Sequence, residues 1–286
     1  MSQIFTRFLF FAQNALLMSL LVSFLCGFNA KAQTQSVPTA IQSSADPAAK
    51  KPGSPSNTVQ DFYKAMRERR FRDALMMTNL RPAVEKLTAE QLADLAPDFE
   101  PMATRVPEKI ELSGEQISGN LASVFVKSDN SLTNKPQLDE LKLRRENNDW
   151  IILTGEAETE TEVKREGANF FFKQRIEARH SEIELTFQDI MKAEFGYALQ
   201  HNGVYADLQT LVNENLVSAD VMNPDLMGYR FRLQLTSDKK KYMVNAEPVQ
   251  YGKTGKLSFL LNGGDAKTGP LVQKDDKNGS PLQPKN

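Results

Sequence analysis

Residues 176–199 read Ile176-Glu177-Ala178-Arg179-His180-Ser181-Glu182-Ile183-Glu184-Leu185-Thr186-Phe187-Gln188-Asp189-Ile190-Met191-Lys192-Ala193-Glu194-Phe195-Gly196-Tyr197-Ala198-Leu199. Ile176, Ile183, Phe187, Ile190, Met191, Phe195, Ala198 and Leu199 fall at helical spacing, which predicts one long helix with an apolar stripe that must be covered. The chain that follows supplies the cover. After Asn202-Gly203-Val204-Tyr205 comes a short Leu-rich stretch, then three short alternating strands ending in Tyr251-Gly252-Lys253-Thr254-Gly255. In one of them Tyr229, Phe231, Leu233 and Leu235 alternate with Arg230, Arg232 and Gln234, so one face is apolar and the other polar. The expected product is a long helix packed on a small antiparallel sheet, its stripe buried against Tyr229, Phe231, Val244 and Phe259.

The N-terminus predicts the compartment. Arg7 is the only charge before a largely apolar run over residues 8–28, and Ala30-Lys31-Ala32 places small residues where a signal peptidase cuts. A basic start, an apolar core and an A-x-A end read as a secretory signal over residues 1–32, with Gln33 as the mature N-terminus. The alternative is a retained N-terminal membrane anchor, because the run approaches the ~20 residues that span a bilayer. Cys26 follows Ser23-Phe24-Leu25, which sets a bulky Leu where a lipoprotein signal needs a small residue. After cleavage no stable membrane span is expected. The reading is therefore an extracytoplasmic protein, periplasmic or secreted.

Loss of Arg7 and Lys31 from 35 basic residues leaves 33 against 36 acidic ones, so the mature chain is mildly acidic. That balance argues against a nucleic-acid partner. The single cysteine leaves with the signal, which excludes disulfides, zinc–thiolate sites and thiol nucleophiles together. Stability must then come from burial alone, and roughly 200 folded residues suffice for two domains of ordinary size.

Residues 33–56 are rich in Gln, Ser, Ala and Pro and read as a disordered linker, and residues 263–286 as a matching disordered tail. The chain changes character once between them, at the charge-rich residues 155–165, a connector that divides a domain over residues 57–154 from one over 166–262. The first domain opens with a helix capped by Asn57 or Thr58, with Asp61 in its first turn and Val59, Phe62, Tyr63 and Met66 on one face. A second helix starts at Phe71, and a third apolar stretch carries Leu92, Leu95 and Phe99. Four strands follow, around residues 109–112, 121–127, 138–145 and 150–153, the last behind the turn Asn147-Asn148-Asp149.

Val59-x-x-Phe62-Tyr63-x-Ala65, Asp73-Ala74, Gly119-Asn120-Leu121-Ala122-x-Val124-x-Val126 and Leu141-x-Leu143 before Asn148-Asp149-Trp150-Ile151-Ile152 resemble the nuclear-transport-factor-2-like (cystatin-like) cone fold. The resemblance implies helices on a curved antiparallel sheet, often with a pocket at the open end where relatives place Asp, His or Tyr. Residues 57–154 hold no His and one Tyr, Tyr63, on the apolar face of its helix. Residues 166–262 resemble a type IV pilin or pseudopilin head. The likeness rests on the long helix, Phe195-Gly196-Tyr197, Asn202-Gly203-Val204-Tyr205, Leu208-x-x-Leu211, Gly228-Tyr229-Arg230-Phe231, Ala246-x-Pro248 and the run from Tyr251 to Phe259. The apolar stem and Gly-Phe processing site that polymerise a pilin are absent ahead of the helix. Asn262-Gly263-Gly264-Asp265 offers too few oxygens for a calcium loop. The fold class is α+β: a cone of helices on a curved antiparallel sheet, then a long helix on a small antiparallel sheet.

No nucleophile–base–orienter set, metal ligand set or cofactor motif stands out. His180 lies between Ile176 and Ile183 on the stripe and reads as a packed edge residue, the alternative being a buried pH-sensitive contact, and His201 reads as a residue closing the helix end. Lys239-Lys240-Lys241 marks a hairpin turn, and the acidic run of residues 156–162 a solvated connector. Phe170-Phe171-Phe172 is the candidate interaction patch, since three consecutive rings cannot share one helical face. The expected function is a non-enzymatic extracytoplasmic binding or assembly protein of a bacterial envelope. Its expected partners are envelope, pilus or secretion-system proteins, linked to a type IV pilus or a type II secretion-like system. The alternative is small-molecule binding or hydrolysis in the pocket of the cone-shaped domain.

Overall fold

The computed structural model describes residues 53–129, 136–155, 157–264 and 269–284. The signal segment, most of the linker, Glu156 and the final two residues lie outside the described residues. The chain divides into two compact units after Gly167. Both are α+β, each with a four-stranded antiparallel sheet in sequential order.

In the first unit, α1 (Pro55–Arg67) begins three or four residues earlier than a cap at Asn57 or Thr58 would set it. Ser54 is its N-cap, Pro55 fills the first helical position, and the Ser54 hydroxyl accepts the Asn57 N–H at 3.1 Å. The Glu115 carboxylate closes the same helix end, accepting from the Ser56 N–H and hydroxyl at 2.9 and 2.6 Å. Helices α2 (Phe71–Met76), α3 (Arg81–Val84) and α4 (Ala89–Ala103) follow, the last opened by a Thr88–Gln91 capping box. The sheet runs β1 (Glu111–Ser118), β2 (Leu121–Asp129), β3 (Pro136–Glu146), β4 (Asp149–Ile152). A register shift between Leu112 and Gly114 bends β1, and tight turns at Gly119-Asn120 and Asn147-Asn148 join the hairpins. Val59 packs into Ala122, Val124, Val126, Leu143, Trp150 and Ile152, with Phe62, Tyr63 and Leu141 around them. The free edge of β4 is covered: Ile152 N–H reaches Met77 O at 2.9 Å and Asn79 N–H reaches Ile152 O at 3.0 Å.

The stretch expected as a charged connector is instead a helix, α5 (Ala157–Glu166), and it belongs to the first unit. Glu158 and Glu160 lie in its first turn and Lys164 and Arg165 in its last, the arrangement a helix dipole favours. The Arg144 guanidinium grips the Glu160 carboxylate through two N–H groups at 2.9 and 3.2 Å, and Val163 is fully buried. Gly167, at φ 54°, then ends the unit, its N–H bonded to Val163 O at 2.9 Å.

The second unit is built on α6 (Asn169–Gln200). Ile183, Phe187, Ile190 and Ala193 pack with Tyr229, Phe231, Val244, Phe259 and Leu261 in one core, as the stripe required. The stripe's C-terminal end is corrected. Phe195 and Leu199 are 66 % and 72 % exposed, while Glu194 is fully buried. Positions 183, 187, 190 and 194 hold one line along the helix, and 195 and 199 lie about a third of a turn or more off it. After α6 come α7 (Leu208–Asn213), a 3₁₀ turn (Ala219–Met222), and α8 (Pro224–Met227), closed by Gly228 at φ 68°. The sheet is β5 (Tyr229–Leu235), β6 (Tyr242–Pro248), β7 (Leu257–Gly263) and β8 (Leu271–Asp276).

Strand β8 lies in what the sequence read as a disordered tail. It has no apolar alternation to announce it, because five of its six residues are exposed. What holds it is the backbone ladder to β7 and the Lys274 ammonium on Glu184 of α6 at 2.6 Å.

Candidate partner-binding face

The register of the second sheet places three rows of side chains on the face turned away from α6. One row is Gln234–Met243–Asn262–Leu271 and the next Arg232–Asn245–Leu260–Gln273. In the third, Arg230 stands opposite Glu247 and Ser258 opposite Asp275. The sequence marks such positions as solvated, since they alternate with the core row. The first row obeys: it floors an open groove of about 410 Å³, lined also by Thr236, Lys241 and Gly269.

The centre of this face behaves differently. Asn245, Glu247, Ser258 and Leu260 are all buried, although three of the four are polar. Among the described residues the Asn245 Oδ1, the Ser258 Oγ and both Glu247 carboxylate oxygens have no hydrogen-bond partner. Arg232 Nη1 stands 2.7 Å from Glu247 Oε1 as an ion-pair contact, but no well-aligned hydrogen bond reaches either oxygen. Burial pushes the Glu247 carboxyl above the usual carboxylate range, against the pull of Arg232 and Arg230. Buried polar atoms left unpaired cost about 1–3 kcal/mol each, and Asn245 Oδ1, Ser258 Oγ and Glu247 Oε2 gather on this one face. Sequence reasoning missed these residues because alternation reports which face a side chain takes, not whether that face is covered.

The other candidates fall elsewhere. Phe170 and Phe171 are buried and meet edge to face at 5.3 Å, and the Arg175 guanidinium lies 5.4 Å from the centre of the Phe172 ring. Phe172 is partly exposed, so of the three rings it alone reaches the surface. His201 stacks on Tyr197 at 3.8 Å, with Nδ1 2.8 Å from the Tyr197 carbonyl at the helix end. His180 is half-buried, and its Nε2 accepts the Lys256 and Leu257 N–H groups at 3.1 and 3.2 Å. The Lys239-Lys240-Lys241 turn joins β5 to β6, and the Lys240 ammonium donates to the Asn202 and Gly203 carbonyls at 2.8 and 3.0 Å.

In the first unit, the Tyr63 phenol is pushed up to about 12, first by burial and then by the charge of Asp139. That tyrosine packs edge to face on Phe62 at 5.6 Å, among the core residues facing β2 and β3. Among the described residues no group of three or more His, Cys, Asp or Glu side chains could hold a metal ion. No described helix is long and apolar enough to cross a membrane.

No protein-family model matches this chain. No curated protein matches it either. A solved structure that does match is a Campylobacter jejuni protein described as an NTF2-like transpeptidase, at 2.00 Å resolution. It is 14% identical, with a TM-score of 0.26, and the match covers 35% of this chain and 98% of that one. At that identity and TM-score the similarity fixes neither fold nor activity.

Proposed function

We propose that this is a non-enzymatic, extracytoplasmic binding or assembly protein of a bacterial envelope, and that its second unit is a stemless pilin-like head. The outward face of its sheet receives the partner, expected among pilus or secretion-system proteins. One observation carries the reading: an open groove lined by Gln234, Met243, Asn262 and Leu271 lies on this face, beside a buried polar centre at Asn245, Glu247 and Ser258. Interfaces join an apolar floor to a few convergent polar groups, and Met243 and Leu271 supply apolar lining in the groove beside Gln234 and Asn262. The order of long helix, loop and antiparallel meander supports the pilin-like reading, and a cone of helices on the first sheet supports the nuclear-transport-factor-2-like one.

The test uses mature protein beginning at Gln33, immobilised and exposed to envelope extract beside a Leu271→Asp variant. Leu271 is 52 % exposed, so the variant keeps the fold and changes the groove. Wild-type protein should retain pilus or secretion components that Leu271→Asp does not. Identical capture by both proteins would sink the proposed face. Intact Met1 on the protein isolated from membranes would replace the secreted reading with the anchored one.

A further inference from the structure

His180 occupies a position that a packed edge residue does not need. It projects from α6 at the point where the chain enters β7, and one ring nitrogen takes two consecutive backbone N–H groups, those of Lys256 and Leu257. Nε2 must therefore carry a lone pair, which places the ring proton on Nδ1. The ring meets Phe259 at 5.8 Å and Tyr229 at 6.5 Å, both edge to face. The preceding residue makes the companion contact: Arg179 Nη1 donates to Met227 O at 2.7 Å, just before β5. Two adjacent residues of α6 thus hold the entrances of two strands.

The loop that His180 fastens is tied mainly to itself. Gln250 N–H bonds the Thr254 hydroxyl at 3.1 Å, Thr254 N–H bonds Gln250 O at 2.9 Å, and Gly252 N–H bonds Gly255 O at 2.8 Å. It can therefore shift as a unit without losing its own turn. Its outer ties include the His180 bonds, the Tyr229 hydroxyl on Leu257 O at 2.9 Å and the Tyr251 hydroxyl on Asp276 at 3.0 Å.

We propose that His180 is an acid-sensitive clasp: as a neutral imidazole it fastens the 250–256 loop to α6, and on protonation it lets the loop go. A proton on Nε2 would set an N–H against two N–H groups at hydrogen-bonding distance, so the ring must release them. The groups facing it are Glu184 on α6, Lys274 and Asp276 on β8, and Lys256 at the entrance to β7. Lys274 is itself engaged by Glu184 at 2.6 Å. Burial chiefly, then Lys274, holds the imidazole below its ordinary value, so the neutral form prevails in the fold. The clasp is fully present above about pH 6.5 and is lost as pH falls through the folded-state value. Glu247 and Ser258 lie just either side of this loop, so its release alters the border of the outward sheet face.

The inference stands apart from the identity of any partner and is tested on the mature chain alone. The His180 ring and the Lys256 and Leu257 amides are followed by NMR from pH 8 to 4.5, with His201 as an internal reference. The ring should titrate below the ordinary histidine value, and both amide signals should move with the same midpoint. In a His180→Gln variant, whose side-chain carbonyl accepts in the same place, that shared midpoint should vanish. The proposal is overturned if the amides ignore the ring's titration, if they follow a lower carboxylate midpoint, or if His180 titrates at or above its ordinary value. The wild-type titration decides the matter even should the variant fold poorly.

Discussion

Glu194 on α6 and Ala206 in the loop before α7 are joined by a buried hydrogen bond: Glu194 Oε2 accepts the Ala206 N–H at 2.9 Å, and Oε1 has no partner. The carboxyl is fully buried, and that burial pushes it up to about 7, only partly offset by the Ala206 bond. A carboxylate raised this way stabilises the fold least when ionised. Stability should fall as pH rises from about 4.5, where the unfolded chain begins to ionise, through about 7. Glu194→Gln keeps an acceptor for Ala206 and removes the charge. It should gain about 1–3 kcal/mol at pH 8 and almost nothing at pH 4.5, by urea melts at both. The slope should shrink rather than vanish, because Glu182 is also pushed up to about 7, by burial.

Phe187 is fully buried between Phe231 and Phe259, with ring centres 6.2 Å away in each direction. Its neighbours on the sheet are themselves core residues, so the site resists collapse around a smaller side chain. Phe187→Ala should cost about 3–5 kcal/mol in denaturant melts. A variant as stable as wild type would mean that the helix does not rest on this sheet.

The first unit should fold alone, and where it is cut should matter. A fragment over residues 53–167 retains α5, with Val163 buried and Glu160 held by Arg144; one ending at residue 154 loses both. The longer fragment should unfold cooperatively and exceed the shorter by about 1–3 kcal/mol, combining one buried Val with a partly exposed ion pair. Equal stability would return residues 155–165 to the role of a bare connector.

The strongly periodic parts of the fold were legible in the sequence. The face of α6 through Ile190, the alternation of β5, and the pattern of β2 and β3 each repeat one physical constraint several times. Elements that depend on pairing rather than pattern were not legible. Strand β8 carries apolar residues only at Leu271 and Val272, both exposed, and pairs with β7, which would otherwise present an unpaired edge. Helix α5 carries one buried apolar residue, Val163, so its charges read as a solvated run until Arg144 is seen to hold one of them. The candidate face was hidden for the same reason. Asn245 and Glu247 alternate correctly for a solvated side, and only the three-dimensional structure reveals that they are buried, Glu247 beside Arg232. Glu194 and Phe195 exchanged the places that hydrophobicity assigns them, which no periodicity of apolar residues could report.

Two glycines of the second unit should respond in opposite directions to alanine. A Cβ on Gly255 would sit 1.9 Å from the Tyr229 hydroxyl oxygen and 2.4 Å from its Cζ. Tyr229 cannot yield, since it is fully buried in the core and its hydroxyl is bonded to Leu257 O at 2.9 Å. Gly255 is therefore a glycine because a ring lies against its backbone, and Gly255→Ala should cost about 1–3 kcal/mol as an overpacked site does. Gly196 lies inside α6 with nothing within 4 Å of a Cβ. Gly196→Ala should instead stabilise by about 0.5–1 kcal/mol, by reducing the freedom of the unfolded chain and improving helix propensity. Thermal and urea melts of the two variants at pH 7 decide it. If Gly255→Ala matched wild type, Tyr229 would not be pinned against that loop, and the placement of the loop beside His180 would fail with it.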